Sequence, residues 1–332
     1  LADMFTVASK EFSDIVRGKR FLILVIVFGL VMAMAVASVY LRVVQAAQQA
    51  GGIAMPRGFL GLAAYNLITT MSYFAPIIGL ALGCDAISGE REKGTLKITL
   101  AQPVFRDTVI NGKFLAAFMA ISLAIIIASI ADIGGSVLTL GITPTIDDIA
   151  RLLLFMLFSI LFAMTYYGLS AFLSTVSKRT TQSVIISVML WAVFTFVIPI
   201  IATLVAFSLT PPSVRPFQNV TRPFQNATSR QEYERLIEAM RRQSAIIETI
   251  QSVTPNYHFN RVAQYVLQAY AGIRIGAGGI GAGGVAQGQA GTRNVSILES
   301  LIFAWPNILV LTVATIITFI ASYIVFIRQE IR

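Results

Sequence analysis

One cysteine, one histidine and few charges are the scarcities of this 332-residue chain, and each closes off chemistry. The lone Cys84 excludes an internal disulfide framework and a cysteine metal cluster. The lone His258 argues against a histidine metal site or a catalytic triad. Charged residues make up 12% of the chain, about half the share of a soluble domain. Hydrophobic residues reach 56% and the mean hydropathy is +0.76, so a bilayer must solvate much of the surface. The net charge of +9 is not gathered into a basic patch with interleaved aromatics, which argues against nucleic acid as a partner. Residues 1–20 do not read as a cleavable signal.

What is present in quantity is long apolar sequence. Six segments, 21–42, 62–84, 112–133, 150–175, 184–209 and 301–327, meet the roughly 20 residues that a crossing needs. Asn66 and Pro76 in the second read as a helix contact and a kink. Asp132, near the end of the third and next to Gly134 and Gly135, reads as a solvated helix end at the far interface. Lysines set the orientation. Lys10, Lys19, Lys93, Lys97, Lys113 and Lys178 all fall on one side of the six spans, which predicts cytoplasmic termini and a cytoplasmic 85–112 loop.

Residues 210–300 are then expected outside the cell. Their nine arginines are a weak objection, because long translocated segments largely escape the charge rule. The tandem repeat RPFQNVT and RPFQNAT carries two Asn-x-Thr acceptors, Asn219 and Asn226, and Asn294 begins a third such triplet. Confinement of all three to this segment predicts glycosylation there. Ser229 and Glu232 read as a capping box, followed by an amphipathic helix with Tyr233, Leu236, Ile237, Met240, Ile247 and Ile250 on one face. A second helix follows Pro255. The glycine-rich stretch beyond it contains Gly276, Gly278 and Gly281 at dinucleotide-fingerprint spacing, but without the flanking strand and helix such a site needs.

Against this background the run DAISGEREKGTLKITLAQP, residues 85–103, stands out for its charge. Gly89 and Gly94 have phosphate-loop spacing, yet Thr95 occupies the lysine position, and Glu90 and Glu92 would repel phosphate. Interfacial anchoring would explain Arg91 and Lys93 but not the two acids beside them. A short mixed-charge helix suits docking to a protein of complementary charge. In residues 4–21, Phe5, Ala8, Phe12, Ile15 and Val16 form an apolar stripe, with Lys10, Asp14 and Arg17 elsewhere, as in a helix lying in the interface plane. A plain extension of the first span is the alternative, with Gly18 as the only break.

Residues 85–116 resemble the hallmark loop of ABC-2 type transporter permeases. Ile87, Ser88, Gly89, Glu90, Arg91, Glu92, Gly94, Thr95, Leu96, Pro103, Arg106, Gly112 and Lys113 match its pattern in order, and Phe105 departs from it. The chain is similar to the stand-alone permeases described with multicopper-enzyme maturation. The resemblance implies an all-α polytopic membrane protein. Its parts are an interfacial elbow helix in 1–20, five spans in 21–209 with a coupling loop at 85–112, an extracellular, mostly helical insertion at 210–300, and the sixth span and cytoplasmic C-terminus in 301–332. It implies a non-catalytic cell-membrane subunit that works as a pair with a second permease chain, identical or not. Two copies of a separate ATPase would bind the ATP and magnesium, and this chain would hold no cofactor. Ser88 to Thr95, including Lys93, would fit a groove in that ATPase, and Ser177, Lys178, Arg179 and Thr180 would add a smaller contact. Glu90, Arg91 and Glu92 are expected to make the charged contacts, so that reversing both acids uncouples hydrolysis from transport in a folded protein. The cargo would be lipid-like, peptide or otherwise amphipathic, since the spans show no charged pathway. The alternative is a mechanical coupler or receptor that moves its external segment and transports nothing.

Overall fold

The computed structural model describes residues 4–49, 59–96, 105–141, 143–209, 227–268 and 296–328, and all elements among them are helical. The amphipathic α1 (Met4–Arg17) ends at Gly18, and α2 (Lys19–Gln49) starts the first span. Ala8 is buried and Phe12, Ile15 and Val16 pack on the core, as the stripe predicts, while Phe5 at the free end stays exposed. After α3 (Phe59–Gly83) come the short α4 (Ser88–Glu92), α5 (Arg106–Leu140) and α6 (Ile146–Val176). The fifth span is α7 (Thr180–Ala192), a π-helical turn (Val193–Val197) and α8 (Ile198–Leu209). Next are α9 (Ala227–Gln251) and α10 (Pro255–Gln268), and α11 (Ile297–Arg328) is the sixth span.

Among the described residues six helical segments are long and apolar enough to cross a membrane, and α6 is the central one. Of its apolar window 67% is buried, against 6% for the fifth span, whose outer face is therefore left to lipid or a partner. The α3–α6 seam closes on small residues, the usual device where lipid gives helices no hydrophobic drive to associate. A Cβ at Gly79 would collide with the Ala163 carbonyl and lie 2.9 Å from the Tyr167 nitrogen. On the other flank of α6, Thr165 and Thr315 share a 2.7 Å hydroxyl bond with α11.

Asp132 overturns its expected role. The helix does not end at Gly134 and Gly135 but continues to Leu140, and Asp132 is 1% exposed, with one carboxylate oxygen lacking a hydrogen-bond partner. A 35-residue helix outruns a 30 Å hydrocarbon core by several turns, so counting 20 residues from Lys113 mistook an interior position for a wet end.

The insertion departs further from expectation. Ser229 is not a cap: α9 already includes Ala227 and Thr228. Nor does the insertion stand wholly clear of the spans. The α9–α10 hairpin runs back alongside them, with its turn at residues 252–254. Asn256 accepts from the hydroxyl of Tyr166, 20 residues beyond the start of α6 and 10 from its end. Asn260 is bonded to Ser72 in the middle of α3 (2.5 Å). Phe259 stacks on Phe162, and Val262, Ala263, Val266 and Leu267 are buried. The polar residues of α10 thus satisfy polar residues at mid-length of the spans.

Arg151, 1% exposed, holds the upper end of this hairpin. Its Nη1 donates to the Val266 carbonyl in the last turn of α10 (3.1 Å) and to the Ser300 hydroxyl of α11 (3.2 Å). A cation belongs at a helix C-terminus, where unpaired carbonyls concentrate partial negative charge. Arg151→Met is expected to cost about 2 kcal/mol. Unchanged thermal unfolding in detergent would remove Arg151 from this role.

Candidate functional site

Short helices are poor at satisfying their own ends, and α4 has five residues and no side-chain cap of its own. The cap comes from another helix. The Ser174 hydroxyl of α6 accepts from the backbone N–H of Ile87 (3.1 Å) and of Ser88 (2.9 Å), and lies 3.0 Å from the Ser88 hydroxyl. The favour is returned at α7, which likewise lacks a cap: Glu92 accepts from its first N–H, at Thr180 (3.3 Å). Arg91 fixes the same C-terminal end of α6, donating to the carbonyls of Ser177 (3.0 Å) and Thr175 (3.1 Å). Gly94 ends the turn at φ +73°, a left-handed backbone that favours glycine, and the Thr95 hydroxyl closes back onto the Glu90 carbonyl (3.2 Å).

The deepest tie is ionic. Lys113, in α5 and 5% exposed, bridges Glu11 of α1 (2.8 Å) and Glu90 of α4 (2.5 Å). Burial acts to raise the Glu11 carboxyl, but Lys113, and after it Lys10, outweigh that and hold it below the ordinary glutamate range. Gly112 lets α1 come this close, since a Cβ there would lie 2.7 Å from a Val7 methyl. Arg20 and Asp85 form another ion pair at the same end, and Arg106 reaches the Ile327 carbonyl of α11. Both described ends of the chain, α4 and the 177–179 connection therefore gather at one end of the bundle.

The sequence model of the ABC-2 family transporter proteins matches residues 5–331. The chain belongs to the ABC-2 transporter family. It is 32% identical over 124 residues to the probable ABC transporter permease protein NosY of Stutzerimonas stutzeri. To the protein of the same name from Pseudomonas aeruginosa it is 29% identical over 197 residues. These matches cover 37% and 58% of this chain, and 42% and 66% of the two relatives.

The hallmark loop of this ABC-2 family chain divides into two groups. Ser88 is buried, and Gly89, Glu90 and Arg91 are half-buried and turned to the bundle. Glu92, Lys93, Gly94 and Thr95, with Lys178 and Arg179 across the gap, are exposed; Ser177 is buried. Within this chain Glu90 is paired with Lys113, and Arg91 is bonded to the Ser177 and Thr175 carbonyls. In a variant that reverses both acids, a lysine at 90 would face buried Lys113. Missed in the sequence were Glu11, Ser174 and the role of Lys113 as the link between Glu11 and Glu90. Glu11 had one usable signal, an acid on the buried side of an amphipathic helix. Asn219, Asn226, Asn294, Lys97 and the Gly276–Gly281 fingerprint lie outside the described residues. No group of three His, Cys, Asp or Glu able to hold a metal occurs among the described residues.

Proposed function

We propose that this chain is the membrane subunit of an ATP-driven exporter, with a separate ATPase docking on the exposed face of Glu92 to Thr95, Lys178 and Arg179. The observation that carries the reading is the division of the loop. Its inner residues clamp α4 to α1, α5, α6 and α7, while Lys93 and Lys178 on its outer face are exposed and form no ion pair among the described residues. A helix held this way cannot be pushed without moving four others. Closure of an ATPase dimer, binding and hydrolysing ATP with its magnesium, would tilt the bundle by preferring one of its arrangements. Family membership and the NosY-like permeases support the ATPase partner. The six lysines support a cytoplasmic α4 end in the cell membrane, with the 210–300 insertion entering from outside. A second permease chain would cover one of the poorly buried outer faces.

The mechanical-coupler alternative draws support from one feature. The hairpin is tied to α3, α6 and α11, so a bundle tilt would move it whether or not cargo crosses. Lys93→Glu with Lys178→Glu tests the docking face without touching the clamp. The expected result is at least tenfold loss of co-purifying ATPase with an unchanged thermal midpoint. Undiminished co-purification would mean that the face is not used.

A further inference from the structure

Between the α9–α10 hairpin and the spans lies a cavity of about 650 Å³, in the size range of sites for drug-sized ligands. One wall is α3 and the fifth span, with Ser72, Tyr73, Phe194, Thr195 and Phe207; the other is the hairpin. Its floor is the mid-height polar network of Ser72, Asn260, Asn256 and Thr195, already satisfied by its own bonds. Above that floor Gln243, Gln251 and Gln264 line the space, and none of their carboxamides has a protein partner among the described residues. Each presents two donors and an acceptor, which in a membrane-level cavity call for something to bond.

The charges in the lining are the second observation. Among the described lining residues, Glu248 and Arg261 alone are charged, and they pair with each other across the two arms of the hairpin. Arg261 also lies over the Tyr257 ring, 5.4 Å from its centroid, and donates from Nε to its hydroxyl (3.3 Å). The pair is neutral as a unit. A ligand with net charge would leave that charge uncompensated beside a pair that is only partly exposed. A ligand carrying both signs can exchange partners with Glu248 and Arg261 at no cost in net charge, and its apolar part can rest on Phe194, Phe207 and Met240.

We propose that this cavity binds a zwitterionic amphiphile, with its ammonium on Glu248, its anionic group on Arg261, and the glutamine carboxamides on the intervening polar atoms. Two sources share that chemistry, a short apolar peptide with free ends and a phospholipid headgroup of the ethanolamine kind. The proposal deepens the permease reading by naming the class of cargo. It is tested on the purified permease without any ATPase, so absence of a ligand and absence of a partner are separate results.

Binding is measured by native mass spectrometry in detergent with three probes. They are L-leucyl-L-leucine, its N-acetylated and C-amidated form, and dihexanoyl phosphatidylethanolamine. The expected result is saturable binding of a zwitterionic probe at least tenfold tighter than the blocked peptide, with Glu248→Gln/Arg261→Gln abolishing the preference. Preference for the peptide or for the lipid identifies the source, and both support the site. Gln243→Leu/Gln264→Leu, which leaves the ion pair and the α10 core in place, should weaken zwitterion binding at least threefold, so the test survives if the charge variant misfolds. Equal binding of free and blocked peptide with no binding of the lipid, or affinity unchanged in the glutamine variant, would overturn it.

Discussion

Lys113→Met is expected to destabilise the protein by about 3–5 kcal/mol, the usual result of removing one partner from a buried ionic group. It strands the carboxylates of Glu11 and Glu90 against each other with no cation between them. The thermal midpoint in detergent should fall by on the order of 10 °C. Adding Glu11→Gln and Glu90→Gln to Lys113→Met should recover most of that loss, because a neutral buried cluster costs less than a broken ionic one. The triple variant should nevertheless fail to alter the ATPase rate of its partner as the native chain does, since α4 is then no longer tied to α1 and α5. Recovery of both stability and rate control would show that the triad is only a packing feature. The same triad fixes a pH dependence. Glu11 is held below its ordinary range, so its contribution is complete above the unfolded glutamate value. It is lost as the pH falls through the lowered value. Acid stability measured with and without Glu11→Gln should therefore converge at the acidic end and diverge toward neutrality.

The second large effect is steric. Gly79→Val places a branched side chain where even one carbon collides with the α6 backbone at Ala163. Backbone cannot move aside as a flexible side chain can, so α3 and α6 must separate, at a cost of about 3 kcal/mol, the upper end for overpacking. Gly83→Ala meets the Tyr167 carbonyl at 2.7 Å on the same seam and should act in the same direction. A loss of folded protein on gel filtration, graded Gly79→Val worse than Gly79→Ala, is the expected outcome. A Gly79→Val protein with native stability would mean that the helices pack differently in the membrane.

How far the sequence was legible depended on whether its signals were local. The six spans, the break at Gly18 and the short helix from Ser88 follow from runs and breaks a few residues long, and the structure has them all. The loop motif carried the family. What the loop residues touch could not be read there. Glu90 meets Lys113 23 positions away, and Ser88 meets Ser174 86 positions away, so a charge run that suggests an outward face is half turned inward. The contacts of the hairpin were hidden for a related reason. Polar residues such as Asn256 and Asn260 look like solvent-facing positions until Tyr166 and Ser72 are found opposite them. Asp132 failed through length, because a 20-residue ruler was laid on a helix of 35 residues.

The most direct test of a permease with an ATPase docked at α4 is purification of the tagged chain from its native membranes in mild detergent. The eluate is then analysed by mass spectrometry and an ATPase assay. The account predicts a stoichiometric ATPase subunit and ATP hydrolysis, both lost in the Lys93→Glu/Lys178→Glu variant. A well-folded preparation with neither partner nor hydrolysis would contradict it, and the exposed charges of the loop would then serve something other than ATP-driven movement.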